Sequence, residues 1–310
     1  MKWFSRSKKE KGWLVMDESP EELKYLHAYA PSGARPSIDS WSTVKSDASA
    51  GTLERIAKEK GLDRYRRLAL LRPGEYQIVM VDAPAVPAEE VKSAVRWSIK
   101  DMLDYPVEDA TIDVLDIPPP EGAVARGHAM LAVAAKNETI EKRMKRFEGA
   151  GIALEVIDIP ETAQRNIAAL YQAPKRGTAL LHLEQDSGLL TINYEAELYL
   201  ARRMDIGIAQ IAKHGAENRR EVFERIQIEL QRTFDHFDRQ HAISVAKLVL
   251  GPEPEETGLE AFLRSNLDVT IERVDLAERV QVAAPGGLDA RAQWQMFHLV
   301  GAALREEGRA

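Results

Sequence analysis

The chain has 310 residues, 45% of them hydrophobic and 29% charged, a composition typical of a folded protein long enough for about two domains. Its net charge of −7 argues against nucleic acid as a partner, and the absence of cysteine excludes disulfides and thiolate metal sites. No apolar run reaches the roughly 18 residues of a membrane span, and the N-terminus lacks the apolar core of a secretory signal, so we expect a cytoplasmic protein.

Residues 1–11 form a basic segment in which Trp3 and Phe4 accompany several cations. These cations are Lys2, Arg6, Lys8, Lys9 and Lys11. Such a segment can contact an anionic membrane surface peripherally. It can equally be a terminus without a fixed partner. The sequence leaves both interpretations open.

The next segment predicts three strands, a helix and a fourth strand. Runs of apolar or alternating residues bounded by turn residues predict strands at 12–17, 23–30, 37–46 and 67–71. The helix, residues 51–60, carries Leu53, Ile56 and Ala57 on one face and is followed by Gly61. The order is therefore βββαβ.

Residues 75–150 are predicted to form a separate unit of order βαββα. Its strands are expected at 75–82, 109–117 and 128–135. The last helix is expected to be capped by Asn137, with Ile140, Met144 and Phe147 on its inner face. This pattern can make a small sheet with two helices on one side.

The first helix of this unit follows Pro84 and is predicted to continue to Pro106, which cannot extend it. Apolar spacing predicts its inner face, which comprises Val91, Ala94, Val95, Ser98, Ile99, Met102 and Leu103. The opposite face carries Lys92, Arg96, Trp97 and Lys100, which we call the basic ridge. The ridge is either a solvated helix face or a contact surface for a partner, since Trp and Arg are common interface anchors.

After a strand at 154–159 and a helix that ends near Tyr171, the chain repeats the opening pattern. Residues 176–310 predict the order βββαβαβα. This duplicated pattern is that of the actin and Hsp70 ATPase core. The predicted fold is α/β, with a first actin-like subdomain (12–74 plus 151–175), an inserted domain (75–150) and a second actin-like subdomain (176–310).

The chain resembles PilM-like type IV pilus assembly proteins, and most closely the MshI branch of mannose-sensitive haemagglutinin (MSHA) pilus biogenesis. The resemblance is carried by YQIVMVDAPAVPAEEVKSAVRWSIKDMLDYPVEDATIDVLDIP (76–118), AGIALEVIDIPETAQRNIAAL (150–170), GLLTINYEAELYLARRMDIG (188–207) and IELQRTFDHFDRQ (228–240). It implies an actin-like fold with an inserted small domain like that of the cell-division protein FtsA.

The resemblance also implies a cytoplasmic scaffold at the inner face of the bacterial inner membrane. The scaffold would bind the cytoplasmic tail of a bitopic partner, PilN-like or its MSHA counterpart. In PilM-like proteins that tail lies in a groove between the inserted domain and the first core domain. We expect the basic ridge to contact the tail in this groove, with Trp97 as an apolar anchor and Arg96 holding a carboxylate or a carbonyl. Well-preserved relatives bind ATP.

An actin-like ATPase cradles phosphates in two β-hairpin turns that contain Asp and glycine. In this chain the first turn keeps Asp17, but Ser19 and Pro20 follow it. At the second turn, His182 and Glu184 occupy the expected Asp-x-Gly positions. Asp186 and Gly188 form either a shifted version of the motif or an ordinary hairpin turn.

The adenosine-side motif, normally a glycine pair, keeps Gly251 but continues with Pro252 and Glu253. The sequence therefore predicts a scaffold that is not an enzyme and holds no cofactor; the alternative is a weak ATPase that binds ATP with Mg²⁺. The spacing of the seven histidines predicts no metal site. Arg202 and Arg203 either pair with acids in a groove or form a charged strand end.

Overall fold

The computed structural model describes residues 11–47, 49–119, 128–213 and 216–305. The predicted basic tail lies outside this part except for Lys11, whose carbonyl oxygen accepts a hydrogen bond from His27 Nε2 at 2.9 Å. Within the described ranges, no helix is both long enough and apolar enough to cross a membrane.

The first part of the chain forms the elements that its periodicity predicts. They are β1 (Trp13–Glu18), β2 (Glu22–Tyr29), β3 (Ser37–Lys45), α1 (Ala50–Lys60) and β4 (Arg66–Leu70). Ser49 caps α1 by accepting a hydrogen bond from the backbone N–H of Thr52, and Gly61 ends the helix in the left-handed region that glycine adopts without strain. β1 is central, because it pairs antiparallel with β2 and parallel with β4.

The middle of the chain forms a smaller unit. Its elements are β5 (Tyr76–Asp82), α2 (Val91–Ser98), β6 (Ala110–Ile117), β7 (Ala129–Lys136) and α3 (Asn137–Glu148). The three strands make an antiparallel sheet in the order β5–β7–β6. Val95 of α2 and the following Ile99 are completely buried against one face of this sheet.

The remaining elements complete the first core subdomain and build the second. They are β8 (Val156–Asp158), α4 (Pro160–Ala168), β9 (Gly177–Leu183), β10 (Gly188–Tyr194), β11 (Glu197–Met204), α5 (Ile208–Ala212), α6 (Ala216–His241), β12 (Val245–Leu250), α7 (Leu259–Asn266), β13 (Thr270–Arg273), α8 (Leu276–Arg279), β14 (Gln281–Val282) and α9 (Ala290–Ala303).

The two large sheets repeat one pattern. Their orders are β14–β3–β2–β1–β4–β8 and β11–β10–β9–β12–β13. Each has an antiparallel meander of three strands, to which two parallel strands are added. The strands β4 and β8 extend the first sheet from β1, as β12 and β13 extend the second from β9. This is the duplicated arrangement that the sequence predicts.

The helices α4 and α9 pack against each other between the two large sheets. Their apolar side chains share one hydrophobic cluster with Val15 of the first sheet and Leu180 of the second. A methyl group on Gly301 of α9 would overlap the carbonyl oxygen of Ala163 in α4. Glycine is therefore required at 301, because only hydrogen in place of Cβ allows this approach.

Two details of the inserted unit differ from the sequence predictions. The helix α2 ends at Ser98 instead of continuing to Pro106, and the predicted inner residues Ser98 and Met102 are exposed. A longer helix would place Asp101 and Asp104 at its negative end, which is unfavourable. Other apolar residues of the predicted face are confirmed: Val95 and Ile99 are buried, and Val91 and Leu103 pack against them. Val107, beyond the end of the helix, completes this interior.

The start and inner face of α3 also differ. Asn137 is the first helical residue and not its cap; its side chain accepts from Thr111 Oγ1 at 2.7 Å and donates to the carbonyl of Glu108 at 3.3 Å. Met144 is exposed, whereas Phe147 is completely buried. The prediction of Met144 as an inner residue was wrong, because the buried stripe of α3 lies one position away, at Arg143.

The C-terminal end of α3 packs with the first core subdomain. Phe147 belongs to the same hydrophobic cluster as Met16 of β1 and Ile56 of α1. In sequence, α3 lies between the parallel strands β4 and β8, and α7 lies between the parallel strands β12 and β13. The two helices therefore occupy equivalent places in the duplicated order. The predicted domain boundary at residue 150 stays a prediction, and the packing leads us to expect that the insertion proper ends near residue 136.

Candidate functional site

A cleft lies between the turn that joins β1 to β2 and the turn that joins β9 to β10. Its volume is about 250 Å³, below the roughly 300–1,000 Å³ of typical ligand pockets. Asp17, His182 and Glu184, which the sequence singled out, all line it, together with residues of α9. The structure therefore brings together the remnants of both predicted phosphate turns. Ser19 lines an adjoining groove instead.

Ser19 closes the first turn from within. Its Oγ accepts hydrogen bonds from the backbone N–H groups of Glu21 at 3.2 Å and Glu22 at 2.9 Å, and it donates to the carbonyl oxygen of Glu22 at 3.0 Å. Pro20 has no N–H to offer. The backbone donors that a phosphate-binding turn would aim at its ligand are therefore engaged or missing at 20–22.

An ion pair occupies the second turn. Glu184 Oε1 lies 3.3 Å from His298 Nδ1 of α9, and Ser187 Oγ donates to Glu184 Oε2 at 3.0 Å. Burial opposes ionisation of Glu184, but the hydrogen bond and the positive charge of His298 outweigh it and lower the pKa of Glu184 well below its usual value. A carboxylate at this position repels phosphate.

The other nitrogen of His298 is also fixed. His298 Nε2 lies 3.2 Å from Gln164 Oε1. The amide of Gln164 cannot be reversed, because its Nε2 donates to the carbonyl oxygens of Leu180 at 2.8 Å and Leu189 at 3.0 Å. Both ring nitrogens of His298 therefore face oxygen atoms, which fixes the orientation of the ring.

His182 is buried behind this pair. Its ring stacks on Phe297 with the centroids 4.1 Å apart, and its centroid lies 5.1 Å from that of His298. Burial, followed by the positive charge of His298, lowers the pKa of His182 well below 6.5, so the ring is neutral at pH 7. A Cβ on Gly251 would lie 2.6 Å from His182 Nδ1. In this chain Gly251 thus provides room for an imidazole.

The loop after β12 is closed by its own side chains. Glu253 is buried and accepts a hydrogen bond from Thr257 Oγ1 at 2.8 Å. Arg273 of β13 donates from Nη2 to Glu253 at 2.9 Å and from Nε to Glu260 at 3.1 Å. The loop that carries the predicted adenosine-side residues Gly251 and Glu253 is therefore held by an internal ion-pair network. Taken with the two turns, these residues do not fit a bound Mg–nucleotide.

A larger groove, of about 610 Å³, lies between the first core subdomain and the insertion. The turn after β1 and the start of α3 line one side, and Tyr105 and Lys136 of the insertion line the other. Its charged residues are predominantly basic: Arg72, Lys136, Lys142, Arg143 and Arg146, against Glu18, Glu75 and Asp104.

Ion pairs fix one wall of this groove. Arg143 Nη2 donates to both carboxylate oxygens of Glu75, at 2.7 and 2.6 Å, and Arg146 binds both oxygens of Glu18. The bidentate geometry gives each pair a single orientation. Arg72 donates its backbone N–H to Glu75 Oε2 at 2.7 Å. The two lysines are less constrained: Lys136 lies over the ring of Tyr105, and Lys142 pairs with an exposed glutamate of α3.

The predicted basic ridge lies outside this groove. Trp97 is 64% exposed, Lys100 is exposed, and Lys92 pairs with Asp113 at 2.7 Å. Arg96 turns inward, and its Nη1 donates to the carbonyl oxygens of Val107 at 2.6 Å and Ala110 at 2.9 Å. The ridge is therefore interrupted at its centre by a structural arginine. Its role in partner binding stays a prediction.

A partly buried junction joins the insertion to both core subdomains, and each of the three parts contributes one residue. Tyr76 of β5 donates to Glu161 of α4 at 2.5 Å, and Arg203 of β11 donates to Glu161 and to the Tyr76 hydroxyl, both at 2.8 Å. Burial and the negative charge of Glu161 raise the pKa of Tyr76 far above its usual value. The sequence flagged Arg203 as a possible partner of acids but missed Tyr76 and Glu161, which no local motif marks.

The other flagged arginine, Arg202, pairs with Glu229 of α6 at 2.5 Å. Within the described ranges, no group of three or more histidine, aspartate or glutamate side chains is placed to hold a metal ion.

Comparisons with known proteins bear on the fold. The chain matches no protein-family model, and no curated protein sequence is similar to it. Its structure is similar to a chain of the PilM–PilN type IV pilus biogenesis complex, with 19% identity, a TM-score of 0.69 and coverage of 96% of this chain and 98% of that one. It is also similar to a Bacteroides thetaiotaomicron protein with an actin-like ATPase fold, with 10% identity, a TM-score of 0.50 and coverage of 91% and 96%. The predicted actin-like fold is confirmed.

Proposed function

We propose that this protein is a scaffold of a type IV pilus assembly platform, placed at the inner face of the inner membrane, where it binds the cytoplasmic tail of a bitopic PilN-like partner. The observation that supports the proposal is the structural similarity to the PilM–PilN complex over 96% of the chain. The sequence resemblance adds a finer proposal, which is that the platform is of the MSHA type and the partner is its PilN counterpart.

The groove between the first core subdomain and the insertion is the proposed docking site. A groove of about 610 Å³ can receive a short extended segment. Lys136 and Lys142 offer charged donors to carbonyl or carboxylate groups of the tail, because Lys136 has only a ring contact and the pair of Lys142 with Glu138 is exposed to solvent. Arg143 and Arg146 are held more firmly, each by both oxygens of one carboxylate. The basic ridge is the rival docking site, since Trp97 offers an exposed apolar anchor there.

Calorimetry with a peptide of the tail tests the proposal and separates the two surfaces. The double variant Lys136→Glu and Lys142→Glu should weaken binding about tenfold or more, equivalent to about 1.4 kcal/mol, because charge reversal makes the groove repel the tail. The matched ridge variant, Lys100→Glu with Trp97→Ala, should bind like the parent. Arg96→Ala is a poor probe, because it strips two carbonyls of their donor.

A parent protein that fails to bind the tail would contradict the proposed function. If the ridge variant loses binding and the groove variant retains it, the tail docks on the ridge as the sequence predicted. Thermal melts of each variant exclude a loss of fold as the cause.

We also propose that the protein does not hydrolyse ATP. The support is the state of the cleft, where Ser19 engages the first turn and Glu184 places a carboxylate at the second. The alternative, a weak ATPase that binds ATP with Mg²⁺, is favoured by Asp17, which still lines the cleft. Phosphate release from Mg–ATP decides between them: turnover that disappears in Asp17→Ala would establish the ATPase.

The basic segment 1–11 is proposed as a peripheral membrane contact. Deletion of residues 1–10 should reduce co-sedimentation with anionic vesicles and leave binding of the tail peptide unchanged. Equal sedimentation of both proteins would contradict this role.

A further inference from the structure

We infer that Asp17 is a positioning residue that orients Arg72 and, through Arg72, the groove wall against which the partner binds. In this role it does not hold a metal ion or a nucleotide. The inference rests on the proposed function, in which the groove holds the partner's tail. It concerns the one residue of the first phosphate turn that this chain retains.

Asp17 contacts Arg72 directly. Asp17 Oδ1 lies 3.4 Å from Arg72 Nη2, and the two side chains are 29% and 34% exposed. The same Nη2 also donates to the carbonyl oxygen of Glu18. The guanidinium of Arg72 is therefore held by a side chain and a backbone group at the end of β1. Because Arg72 lines both the cleft and the groove, it connects the two.

Arg72 is linked in turn to the wall of the groove. The backbone N–H of Arg72 donates to Glu75 Oε2 at 2.7 Å, and Glu75 is held on its other side by Arg143 of α3. Arg143 Nη1 in turn donates to the carbonyl oxygen of Leu70 at 3.2 Å. Residues 70–75 and α3 are thus tied into one rigid segment. Asp17 is the member of this series of contacts that faces the cleft.

Asp17 does not act as the aspartate of a phosphate-binding turn in this chain. In an actin-like ATPase the aspartate of this turn acts together with free backbone donors. In this chain Ser19 engages the donors of residues 21 and 22, and Asp17 forms an ion pair with the guanidinium of Arg72. The carboxylate of Asp17 is therefore paired with a side chain of the protein itself, and its charge acts on Arg72, which lines the groove.

The test measures tail-peptide affinity for Asp17→Asn in buffer with EDTA and no nucleotide. The substitution keeps the shape of the side chain and removes its charge, so Arg72 loses one of its two anchors. The dissociation constant of the tail peptide should rise by up to about fivefold, which is the range expected for a partly exposed ion pair.

Glu155→Gln is the matched control. Glu155 pairs with Arg66 at 3.2 Å with a side chain 30% exposed, and it does not line the groove. This variant should bind the peptide like the parent. In Arg72→Gln, addition of Asp17→Asn should cause no further loss, because both substitutions break the same link.

A second measurement needs no partner. Hydrogen exchange at residues 72–75 should accelerate in Asp17→Asn and stay unchanged in Glu155→Gln, because Arg72 N–H is bonded to the displaced Glu75. Unchanged exchange, unchanged affinity, or an effect of Asp17→Asn that requires Mg–ATP would each overturn the inference. A parent that fails to bind the peptide, with the exchange effect present, would refute the proposed function and leave the link between Asp17 and the segment intact.

Discussion

The turn between β1 and β2 and the turn between β9 and β10 face the same cleft, yet they are closed in different ways. The first is closed locally, by Ser19 within the turn and by a half-exposed contact between Asp17 and Arg72. The second is closed at long range, by His298 from the last helix, with Gln164 behind it. Local closure can be adjusted by small movements, whereas the second turn is fixed by the buried core.

The largest expected effect in this comparison belongs to His298→Ala. The substitution leaves Glu184 and Gln164 without their partner and opens a cavity beside Phe297, so we expect the free energy of unfolding to fall by about 3 kcal/mol. Denaturant unfolding measures it. The control is His236→Ala, an exposed histidine of α6, which should leave stability unchanged. Equal stability of the two variants would mean that the second turn is as adjustable as the first.

Gly251→Ala should have the next largest effect. The added methyl group would lie 2.6 Å from His182 Nδ1, and an overpacked core position costs about 1–3 kcal/mol. The double variant with His182→Ala should lose less stability than the sum of the two single variants, because the contact with Nδ1 is absent when the imidazole is removed. A Gly251→Ala protein as stable as the parent would show that the loop after β12 can move away from His182.

Acidification should also destabilise the protein through the second turn. The pKa of His182 is lowered, so below pH 6.5 the unfolded chain binds a proton that the folded protein excludes, and stability falls as pH falls. One such group changes stability by at most about 1.4 kcal/mol per pH unit. His182→Gln should flatten the decline between pH 6.5 and 5.5, measured by unfolding at each pH.

Glu184 acts in the same direction at lower pH. Because its folded pKa is depressed, its stabilisation is complete above its unfolded value of 4.5 and is lost as pH falls toward the folded value. A decline of equal slope in the parent and His182→Gln would assign the acid sensitivity above pH 5.5 to other groups.

The smallest effect is expected at the first turn. Ser19→Ala removes one hydroxyl from a partly exposed turn and should cost about 1 kcal/mol or less. The substitution also frees the N–H groups of Glu21 and Glu22. Comparing ATP binding by the variant and the parent therefore measures what these two donors contribute. We expect no gain of ATP binding by calorimetry, because Glu184 still occupies the second turn. Binding gained by Ser19→Ala alone would show that the local closure was the sole obstacle.

Local patterns in the sequence predicted the fold well. The hairpins, the parallel strands and the duplicated order follow from alternation and periodicity over short segments, and Ser19 and Pro20 mark the altered first turn directly. The end of α2 was not predictable in this way: the apolar spacing continues to Leu103, while the interior is filled by Ile99 and Val107 from beyond the helix.

The site depends on contacts between distant segments, which spacing does not reveal. His298 lies 114 residues after Glu184 along the chain, and its partner Gln164 comes from α4. Likewise, Lys136 and Arg143 line the groove with Arg72 because β7 pairs with β5, which follows Arg72 in sequence, and because Arg143 of α3 contacts Leu70 of β4. The basic ridge was inferred from helical spacing alone, and tertiary contacts of Arg96 divide it.

The junction of Tyr76, Glu161 and Arg203 has a mechanical consequence. An insertion joined to its host by two chain crossings would transmit a pull to the first core subdomain alone. In this protein a force on the insertion also reaches β11 directly, through the partly buried contacts of Arg203 with Tyr76 and Glu161 at the start of β5. A force applied to the insertion is therefore distributed over both core subdomains. The same contacts oppose separation of the two subdomains at the cleft.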